Sequence, residues 1–267
     1  QEDDTYHFDR LILACGSPAG QKGREGMDGY AYAASLGHTV VPVQPALTAL
    51  RCEGDFWKAL AGGRCQASIR LMIGKTQKPE TFSEYSEEGE LQLTDYGISG
   101  IPVFQLSRHA SFALAAGRRV RAQIDFLPSF AGKEGEYRKL AEERISAFRG
   151  RPLEMLFCGL VNKKIILALL KQNGLRIQDT AEQRNEPAIR RVFSGLRAFP
   201  VQVKGVNPFS AAQVCAGGVP LDEVTDRMES RKHPGLFLAG ELLDVDGRCG
   251  GYNLQWAWTS GYLAGRG

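Results

Sequence analysis

The segment over residues 235–261 constrains the fold more than any other part of the 267-residue chain. Residues 236–239 are apolar and predict a short buried strand, and the glycine-rich residues 247–251 lead into an amphipathic helix predicted over residues 253–264. Glycines before a helix let a ligand approach bare backbone, and the first-turn N–H groups have no partner within the helix. The segment predicts an α/β domain with a candidate ligand site, although a glycine-bearing connection with nothing bound explains the same residues.

Glu241 lies at the carboxyl end of the predicted strand, after Gly240. A carboxylate in that place can accept hydrogen bonds from sugar-type hydroxyls. The dipole of the following helix stabilises negative charge at its first turn by ~0.3–1 kcal/mol, and by up to ~2 kcal/mol where the site is partly buried. The two features together predict a ligand that carries hydroxyls beside a group that becomes anionic.

The pattern of polar and apolar residues changes along the chain. It is typical first of an α/β fold, then of β-strands, then of helices, then of β-strands again, and finally of an α/β fold. Residues 47–124 hold runs that alternate polar and apolar positions between turn residues such as Pro79, which predicts a small antiparallel sheet or barrel. Later residues place apolar side chains at helical spacing. The predicted strands are 8–14, 39–43 (closed by Pro42 and Pro45), 66–72 and 90–93, and the predicted helices are 30–36 (ending at Gly37), one within 101–116, 137–148, 160–172 (ending at Asn173 and Gly174) and 186–196.

An insert that splits an α/β domain explains this order of patterns with the fewest assumptions. The predicted α/β domain comprises residues 1–46 and 206–267. A β-barrel-like domain takes residues 47–130 and 188–205, and a helical subdomain takes residues 131–187.

Charge is uneven along the chain. The formal net charge is only +3, but residues 132–204 hold 15 Lys and Arg against 8 Asp and Glu. Such a split predicts a separately folded insert with a basic face, and an anionic partner such as a nucleotide phosphate, an acidic substrate or a nucleic acid would fit it. Solvated helix faces are the simpler explanation of the same charges, because most of them alternate with apolar positions at helical spacing.

Composition places the chain among globular proteins. Apolar residues make up 43% and charged residues 24% of the chain, which excludes a disordered tail, a collagen-like rod and a coiled coil. No apolar stretch reaches the ~18 residues of a membrane-spanning helix, so a soluble protein without a membrane partner is predicted. Six cysteines without a C-x-x-C pair favour reduced thiols in a cytoplasm, and four widely separated histidines predict no metal site.

Several motifs, in order along nearly the whole chain, carry a resemblance to a known family. Residues 8–16 (FDRLILACG) are similar to the "ATG" strand of two-dinucleotide-binding-domain flavoproteins. With the other motifs, that strand closely resembles the bacterial aminoacetone-oxidase-like or BaiN-like family of NAD(P)/FAD-dependent oxidoreductases. The other motifs are GMDGY at 26–30, LGH at 36–38, PAL at 45–47, YGISG at 96–100, CAGGV at 215–219, GELLDVDG at 240–247 and GGYNLQWAW at 250–258.

The resemblance implies a remnant of an α/β FAD-binding domain of the two-dinucleotide-binding-domain flavoprotein type, interrupted by a β-barrel-like domain and a helical subdomain. It implies FAD as cofactor, and NADPH or NADH as electron donor. The residues that it places beside FAD are Ala14, Cys15 and Gly16 along the nucleotide half, Gly240 and Glu241 at the ribityl and pyrophosphate region, and Gly250, Gly251, Tyr252, Asn253 and Leu254 at the edge of the isoalloxazine ring.

This implied site has a physical consequence and one local departure. Reduced flavin carries negative charge on its pyrimidine edge, so the helix dipole would raise the reduction potential by roughly 20 mV per kcal/mol for a two-electron couple. Cys15 stands where the strand motif often has Thr, so a hydroxyl contact is expected to be missing there.

A larger departure is the lack of a G-x-G-x-x-G unit, which holds the pyrophosphate in such proteins. The glycines at 20, 23, 26 and 29 do not follow that pattern, and the chain begins without Met and runs at once into a strand. We therefore expect a fragment that binds FAD poorly, taken from a parent that binds it.

A few other residues belong to types that often have functional roles. Cys249 could lie near the flavin as a redox thiol, but packing in a turn is the simpler prediction. Trp256 and Trp258 are two positions apart, so at most one can face the core. His38 and His109 have no charged or metal-binding neighbour in the local sequence, which favours a core or surface histidine over a catalytic one.

The predicted function is that of an FAD-dependent oxidoreductase with an unidentified small-molecule substrate and unidentified catalytic residues. The alternative is a flavin-linked module that binds nucleic acid or another polyanion through the basic insert, with little or no turnover. A third alternative is a folded but inert chain.

Overall fold

The computed structural model describes residues 7–21, 27–74, 82–184 and 186–266. The chain forms two compact units, one of Gln1–Thr48 with Asn207–Gly267 and the other of Ala49–Val206. The predicted division into three domains stays a prediction. The predicted loop residues Gly23, Gly26 and Pro79 lie outside the described residues.

Strands dominate the middle of the chain, and helices follow them. In chain order the elements are β1 (Leu11–Leu13), α1 (Asp28–Ser35), β2 (Val41–Ala46), β3 (Leu50–Cys52), α2 (Trp57–Leu60), β4 (Arg64–Gly74), β5 (Phe82–Thr94), β6 (Gly97–Ser99), α3 (Ile101–Ala115), β7 (Val120–Asp125), α4 (Glu134–Ala147), α5 (Leu153–Phe157), α6 (Lys163–Gln172), α7 (Glu186–Arg197), β8 (Phe199–Val206), β9 (Val214–Gly218), β10 (Leu236–Leu238) and α8 (Tyr252–Gly265). Short 3-10 helices lie at Pro128–Phe130, Phe209–Ala211, Leu221–Glu223 and Gly240–Leu242.

The second unit contains a closed six-stranded barrel in the order β3-β6-β5-β4-β7-β8, with antiparallel neighbours throughout. Alternation along β4 buries Ala67, Ile69, Leu71 and Ile73, because successive strand side chains point to opposite faces. The antiparallel sheet or barrel predicted from that alternation is therefore confirmed. Its long strands extend well beyond the predicted 66–72 and 90–93.

Helix α3 follows β6 at a close backbone approach. Gly100, the N-cap residue, has φ 105°, and a Cβ on it would lie 2.4 Å from the carbonyl oxygen of Glu90. Only glycine fits there, because a side chain would meet both the strained φ and the backbone of β5. The helix predicted within residues 101–116 is confirmed, and it ends before Gly117 at φ 67°.

The helices α4 to α7 lie between β7 and β8 in sequence, and their buried residues belong to the same hydrophobic cluster as the barrel core. The helix predicted at 160–172 begins three residues later, because the side chain of Asn162 caps it by accepting from Lys164 N at 2.9 Å. The α4 and α7 predictions are confirmed within a few residues at each end. No helix in the described part of the chain is both long and apolar enough to cross a membrane.

The first unit holds two strand pairs. β1 and β10 are parallel, with Leu11 opposite Leu236, and β2 and β9 are antiparallel. The parallel strand predicted at 8–14 is confirmed but shorter. The prediction that prolines close the strand at residue 43 is wrong, because β2 runs through both prolines to Ala46. Among the described residues β2 pairs with β9 alone, and a strand with one free edge tolerates residues that lack an N–H.

A buried polar cluster ties α1 to the chain that precedes β10. The Nδ1 of His38 lies 2.7 Å from Glu223 Oε2, and its Nε2 lies 2.9 Å from Ser230 Oγ. Lys232 Nζ lies 2.9 Å from the other Glu223 oxygen, Oε1. His38 is thus a core histidine, as predicted, but its charged partner comes from a residue 185 positions away.

We expect the variant Glu223→Gln to lower stability at neutral pH by about 1–2 kcal/mol, since hydrogen bonds to a charged group are lost. Burial opposes ionisation of Glu223, but the hydrogen bonds from Thr39, Lys232 and His38 outweigh burial and lower its pKa to about 2. The carboxylate therefore stabilises the fold above pH ~4.5 and loses that effect as pH falls towards 2. Urea unfolding at pH 7 and pH 3 should show the difference between variant and wild type shrinking in acid, with the exposed Asp226→Asn as control.

We expect Gly100→Ala to destabilise the barrel by more than about 3 kcal/mol, because the added Cβ meets β5 backbone and the φ is strained. Gly117→Ala is the matched control: its φ is also positive, but nothing lies within 4 Å of the added Cβ, so about 1–2 kcal/mol is expected. Urea unfolding followed by far-UV circular dichroism measures both. Equal losses would show that the close approach to β5 costs nothing.

Candidate functional site

The carboxyl end of β10 is joined to α8 through the backbone of Gly240. Gly240 N donates to Ser260 Oγ at 2.9 Å, and the indole Nε1 of Trp256 donates to Gly240 O at 3.1 Å. Both side chains belong to α8, so the helix is fixed against the strand end. Trp256 packs against the hydrophobic core of this unit, whereas Trp258 is 67% exposed, which confirms that only one of the two faces the core.

The N-terminus of α8 is uncapped. Gly251, at φ 93°, precedes the helix and has no side chain to cap it. The backbone N–H groups of Tyr252, Asn253 and Leu254 have no acceptor among the described residues. No acidic residue lies in the first turn. Unpaired N–H groups and the helix dipole are features that suit a helix terminus to an anionic or electron-rich group, so this terminus is a candidate binding site.

The loop before α8 is closed by a single side chain. Asn253 Oδ1 accepts from Gly247 N at 2.7 Å, and its Nδ2 donates to Gly247 O at 3.0 Å. A Cβ on Gly247 would lie 2.9 Å from Tyr252 Cβ, so the loop approaches the helix more closely than any side chain allows. Asn253, which the resemblance places at the ring edge, thus also holds the loop.

A cavity of about 360 Å³ lies at the start of α8. Its wall includes five of the residues that the resemblance places beside FAD, while Ala14, Cys15, Gly16, Gly240 and Tyr252 are not part of the wall. Cys249 also lines the cavity. The lining residues are Leu47, Gln213, Val214, Glu241, Val245, Cys249, Gly250, Gly251, Asn253, Leu254, Trp256 and Ala257.

Leu47 lines this cavity in a left-handed backbone conformation, at φ 48°. Non-glycine residues pay a strain energy there, and such strain is most often retained at functional sites. Gln213 N donates to Leu47 O at 3.4 Å and brings its own side chain to the cavity. Gln213 belongs to none of the motifs, and the PAL motif at 45–47 did not indicate that Leu47 lines this cavity, because both residues lie far from α8 in sequence.

The carboxylate of Glu241 is bound within the protein. Its Oε1 accepts from Cys215 N at 2.5 Å, and the Ser17 hydroxyl also hydrogen-bonds to the carboxylate. The phenol of Tyr30 donates to the backbone carbonyl of Glu241 at 2.9 Å. Glu241 therefore joins the loop after β1 to β9, a role that the predicted contact with sugar hydroxyls did not include. Ser17 was missed by sequence analysis, because its partner is more than 200 residues away.

Titratable groups around Glu241 are shifted towards their neutral forms. Burial raises the pKa of the Glu241 carboxyl, and nearby Asp246 adds to the rise, while hydrogen bonds from Cys215 and Ser17 oppose it. Burial likewise raises the pKa of the Cys215 thiol to about 11 and raises the pKa of the Tyr30 phenol. Negative charge is therefore disfavoured on every one of these side chains.

The loop that contains Ala14, Cys15 and Gly16 follows β1 directly. Cys15 is exposed, but a Cβ added at Gly29 of α1 would lie only 2.8 Å from the Cβ of Cys15. Helix α1 therefore packs tightly against this loop. Gly16 has φ 71°, which favours glycine. The three residues immediately precede Ser17 in the chain, and the structure does not place them in the cavity wall.

We expect Glu241→Gln to leave the free energy of unfolding at pH 8 unchanged or higher, because the amide oxygen still accepts from Cys215 N and no buried charge remains. Because the pKa of Glu241 is raised in the folded state, its contribution to the free energy of unfolding is greatest below pH ~4.5 and falls as pH rises through the folded pKa. The stability of Glu241→Gln should therefore depend less on pH than that of the wild type between pH ~4.5 and the folded pKa.

The variant Glu241→Ala should instead lose about 1–3 kcal/mol, because a buried N–H is left without an acceptor. Urea unfolding at pH 4.5 and pH 8 distinguishes the two variants, with the exposed Asp222→Asn as control. A loss in Glu241→Gln as large as in Glu241→Ala would show that the negative charge itself holds the loop.

The family described as HI0933-like protein Rossmann domain matches residues 1–267. The chain belongs to this family. The match confirms the resemblance inferred from the motifs, and it agrees with the parallel strands and the glycine-rich strand-to-helix connection of the first unit.

Three curated proteins illustrate the range of relatives. The chain is 40% identical over 266 residues to a 3-dehydro-bile acid delta(4,6)-reductase of Clostridium scindens, covering 99% of this chain and 63% of that protein. It is 28% identical over 240 residues to a ribosomal RNA dihydrouridine synthase of Haemophilus influenzae (88% of this chain, 54% of that protein) and 27% identical over 259 residues to that of Escherichia coli (97% and 60%). The chain thus spans 54% to 63% of the length of these relatives.

Proposed function

We propose that the chain is part of an FAD-dependent oxidoreductase, with the ring of the flavin at the uncapped N-terminus of α8. The observation that carries the proposal is a set of three first-turn N–H groups that have no acceptor in the described part of the chain and lie beside a cavity of about 360 Å³. Membership of the HI0933-like family and the similarity to a named reductase support it.

The residues present fit one part of FAD better than another. The bare backbone of Gly250 and Gly251, the helix terminus and the apolar side chains of Leu47 and Val214 suit a flat ring with an electron-rich edge. The chain contains no G-x-G-x-x-G pattern for the pyrophosphate, so the fit covers the ring and not the whole dinucleotide. We therefore expect weak binding of FAD by this chain alone.

FAD, when bound, supplies two-electron chemistry. The protein's part is to bind, orient and tune. The N–H groups of the first turn of α8 would donate to the electron-rich edge and stabilise negative charge there. The apolar wall of Leu47, Val214 and Trp256 would exclude water from the ring. Glu241 would keep its place on Cys215 N rather than move a proton during turnover.

The names of the relatives support a reaction class. A delta(4,6)-reductase and a dihydrouridine synthase both saturate a carbon–carbon double bond. We propose the same class of reaction for this protein, on a small molecule with an activated double bond. NADPH or NADH as electron donor remains part of the proposal and rests on the family resemblance.

The second candidate is binding of nucleic acid or another polyanion through the basic insert, with little or no turnover. It is favoured by two relatives named for ribosomal RNA and by the excess of Lys and Arg over residues 132–204. Many of those cations already have partners, such as Arg184 with Asp179, Lys163 with Glu154 and Arg190 with Glu186. These ion pairs weaken the second candidate relative to the first.

Salt dependence separates the two candidates. Binding of a single-stranded RNA probe to the insert should weaken steeply as salt rises, with a slope set by the number of phosphates contacted. Binding of riboflavin should change little over the same range. RNA binding that persists unchanged at high salt would contradict a phosphate-based contact.

We expect the chain to quench riboflavin fluorescence saturably, since riboflavin has the ring and ribityl chain but no pyrophosphate. Leu254→Asp should weaken that binding at least tenfold, because it adds negative charge to the first turn of α8 at the cavity wall. Tyr262→Asp is the matched control, since both side chains are 61% exposed on the same helix, and it should change binding less than twofold. Absence of saturable quenching, or equal effects of the two variants, would overturn the proposed flavin site.

A further inference from the structure

The terminus of α8 is open for a reason that lies in one side chain. Helices usually begin at a Ser, Thr, Asp or Asn whose oxygen accepts from the first-turn N–H groups. Here the N-cap is Gly251, and the only amide side chain of the first turn, that of Asn253, points back to Gly247. Its oxygen is used on the N–H of Gly247 and its nitrogen on the carbonyl of the same residue.

This pair of hydrogen bonds closes residues 247–251 into a ring against the first turn. The ring depends on the bare Cα of Gly247, since a Cβ there would lie 2.9 Å from Tyr252 Cβ. With both ends of the loop fixed, Gly250 and Gly251 are held in the cavity wall. The first-turn N–H groups are thereby left beside the cavity, and no residue that the structure describes accepts from them.

An amide is better suited than a carboxylate to hydrogen-bond both the N–H and the C=O of Gly247. An asparagine satisfies one N–H and one C=O at the same time and brings no charge. An aspartate could accept from Gly247 N but could not donate to Gly247 O, and it would place a negative charge within the first turn. That charge would oppose a ligand whose edge is electron-rich.

We propose that Asn253 is a positioning residue of the candidate flavin site: its clamp on Gly247 keeps the first turn of α8 open to the ligand. The inference rests on the proposed function. Asn253 acts through the loop and the helix terminus, so its effect is larger on a reduced, anionic ring than on an oxidised, neutral one.

Three variants test the clamp. Asn253→Ala removes both hydrogen bonds. Asn253→Asp keeps the size of the side chain and the hydrogen bond from Gly247 N, and it loses only the hydrogen bond to Gly247 O. It therefore still tests the clamp if Asn253→Ala does not fold. Gln255→Glu is the matched control, because it makes the same amide-to-carboxylate change on an exposed side chain of α8 that contacts Thr259 and not the loop. Far-UV circular dichroism checks that each variant is folded.

The first readout needs no flavin. Trypsin cleaves after arginine, and Arg248 lies within the clamped loop. Native-state cleavage at Arg248 tracks local opening of the loop. We expect cleavage to be at least fivefold faster in Asn253→Ala, and unchanged within twofold in Gln255→Glu. A wild-type rate of cleavage in Asn253→Ala would overturn the clamp.

The second readout is binding of oxidised and reduced riboflavin under anaerobic conditions. We expect Asn253→Asp to weaken binding of the reduced form at least tenfold more than that of the oxidised form, which lowers the two-electron potential of the bound ring by about 30 mV. Gln255→Glu should shift the ratio less than threefold. A wild-type ratio in Asn253→Asp, with riboflavin bound by the wild type, would overturn the inference alone. A wild-type chain that binds no riboflavin would overturn the proposed flavin site and this inference with it.

Discussion

The two hydrogen bonds between α8 and the backbone of Gly240 are the constraint on which the candidate site depends. Ser260 Oγ accepts from Gly240 N, and Trp256 Nε1 donates to Gly240 O. Helix α8 therefore cannot rotate or slide along β10 without losing both hydrogen bonds. Gly240 itself has φ 71° and turns the chain sharply at the strand end. The direction of α8, and hence the place of its uncapped terminus, follows from this one attachment.

The site that results is built from backbone and apolar surface rather than from charged side chains. The carboxylate of Glu241 is already hydrogen-bonded to Cys215 N, and burial favours its neutral form. What remains directed at a ligand is a set of N–H groups and the field of a helix. Such a site discriminates by shape and by where electron density accumulates, and it needs little rearrangement when charge develops.

Local sequence signals predicted much of the fold. Period-2 alternation identified the barrel strands, and Gly37 and Gly174 marked helix ends because glycine alone adopts positive φ without strain. The start of α8 was visible because a glycine pair precedes it, but the prediction of an amphipathic helix is wrong, since α8 leaves the apolar side chains of Leu254 and Trp258 exposed. The two prolines gave a wrong prediction for the end of β2, because a strand with one free edge tolerates proline.

Contacts between distant residues could not be predicted in this way. Ser17, Cys215 and Glu241 meet only after the strand pairs have formed, and so do His38 and Glu223. The clamp of Asn253 on Gly247 was equally hidden, since an asparagine after a glycine pair fits a ligand contact as well as an internal one. The left-handed turn at Leu47 has no sequence signal, because leucine almost never adopts it by preference.

The order of the barrel strands governs when the second unit can form during synthesis. β8 lies between β7 and β3 in the barrel, yet the helices α4 to α7 precede it in the chain. Until residue 206 has emerged from the ribosome, the first five strands can form at most an open sheet, in which the outer strands β7 and β3 lack the partner that β8 supplies. The nascent protein therefore passes through a stage in which β7 and β3 are open to pairing with other chains, and that exposure ends with the arrival of a single late strand.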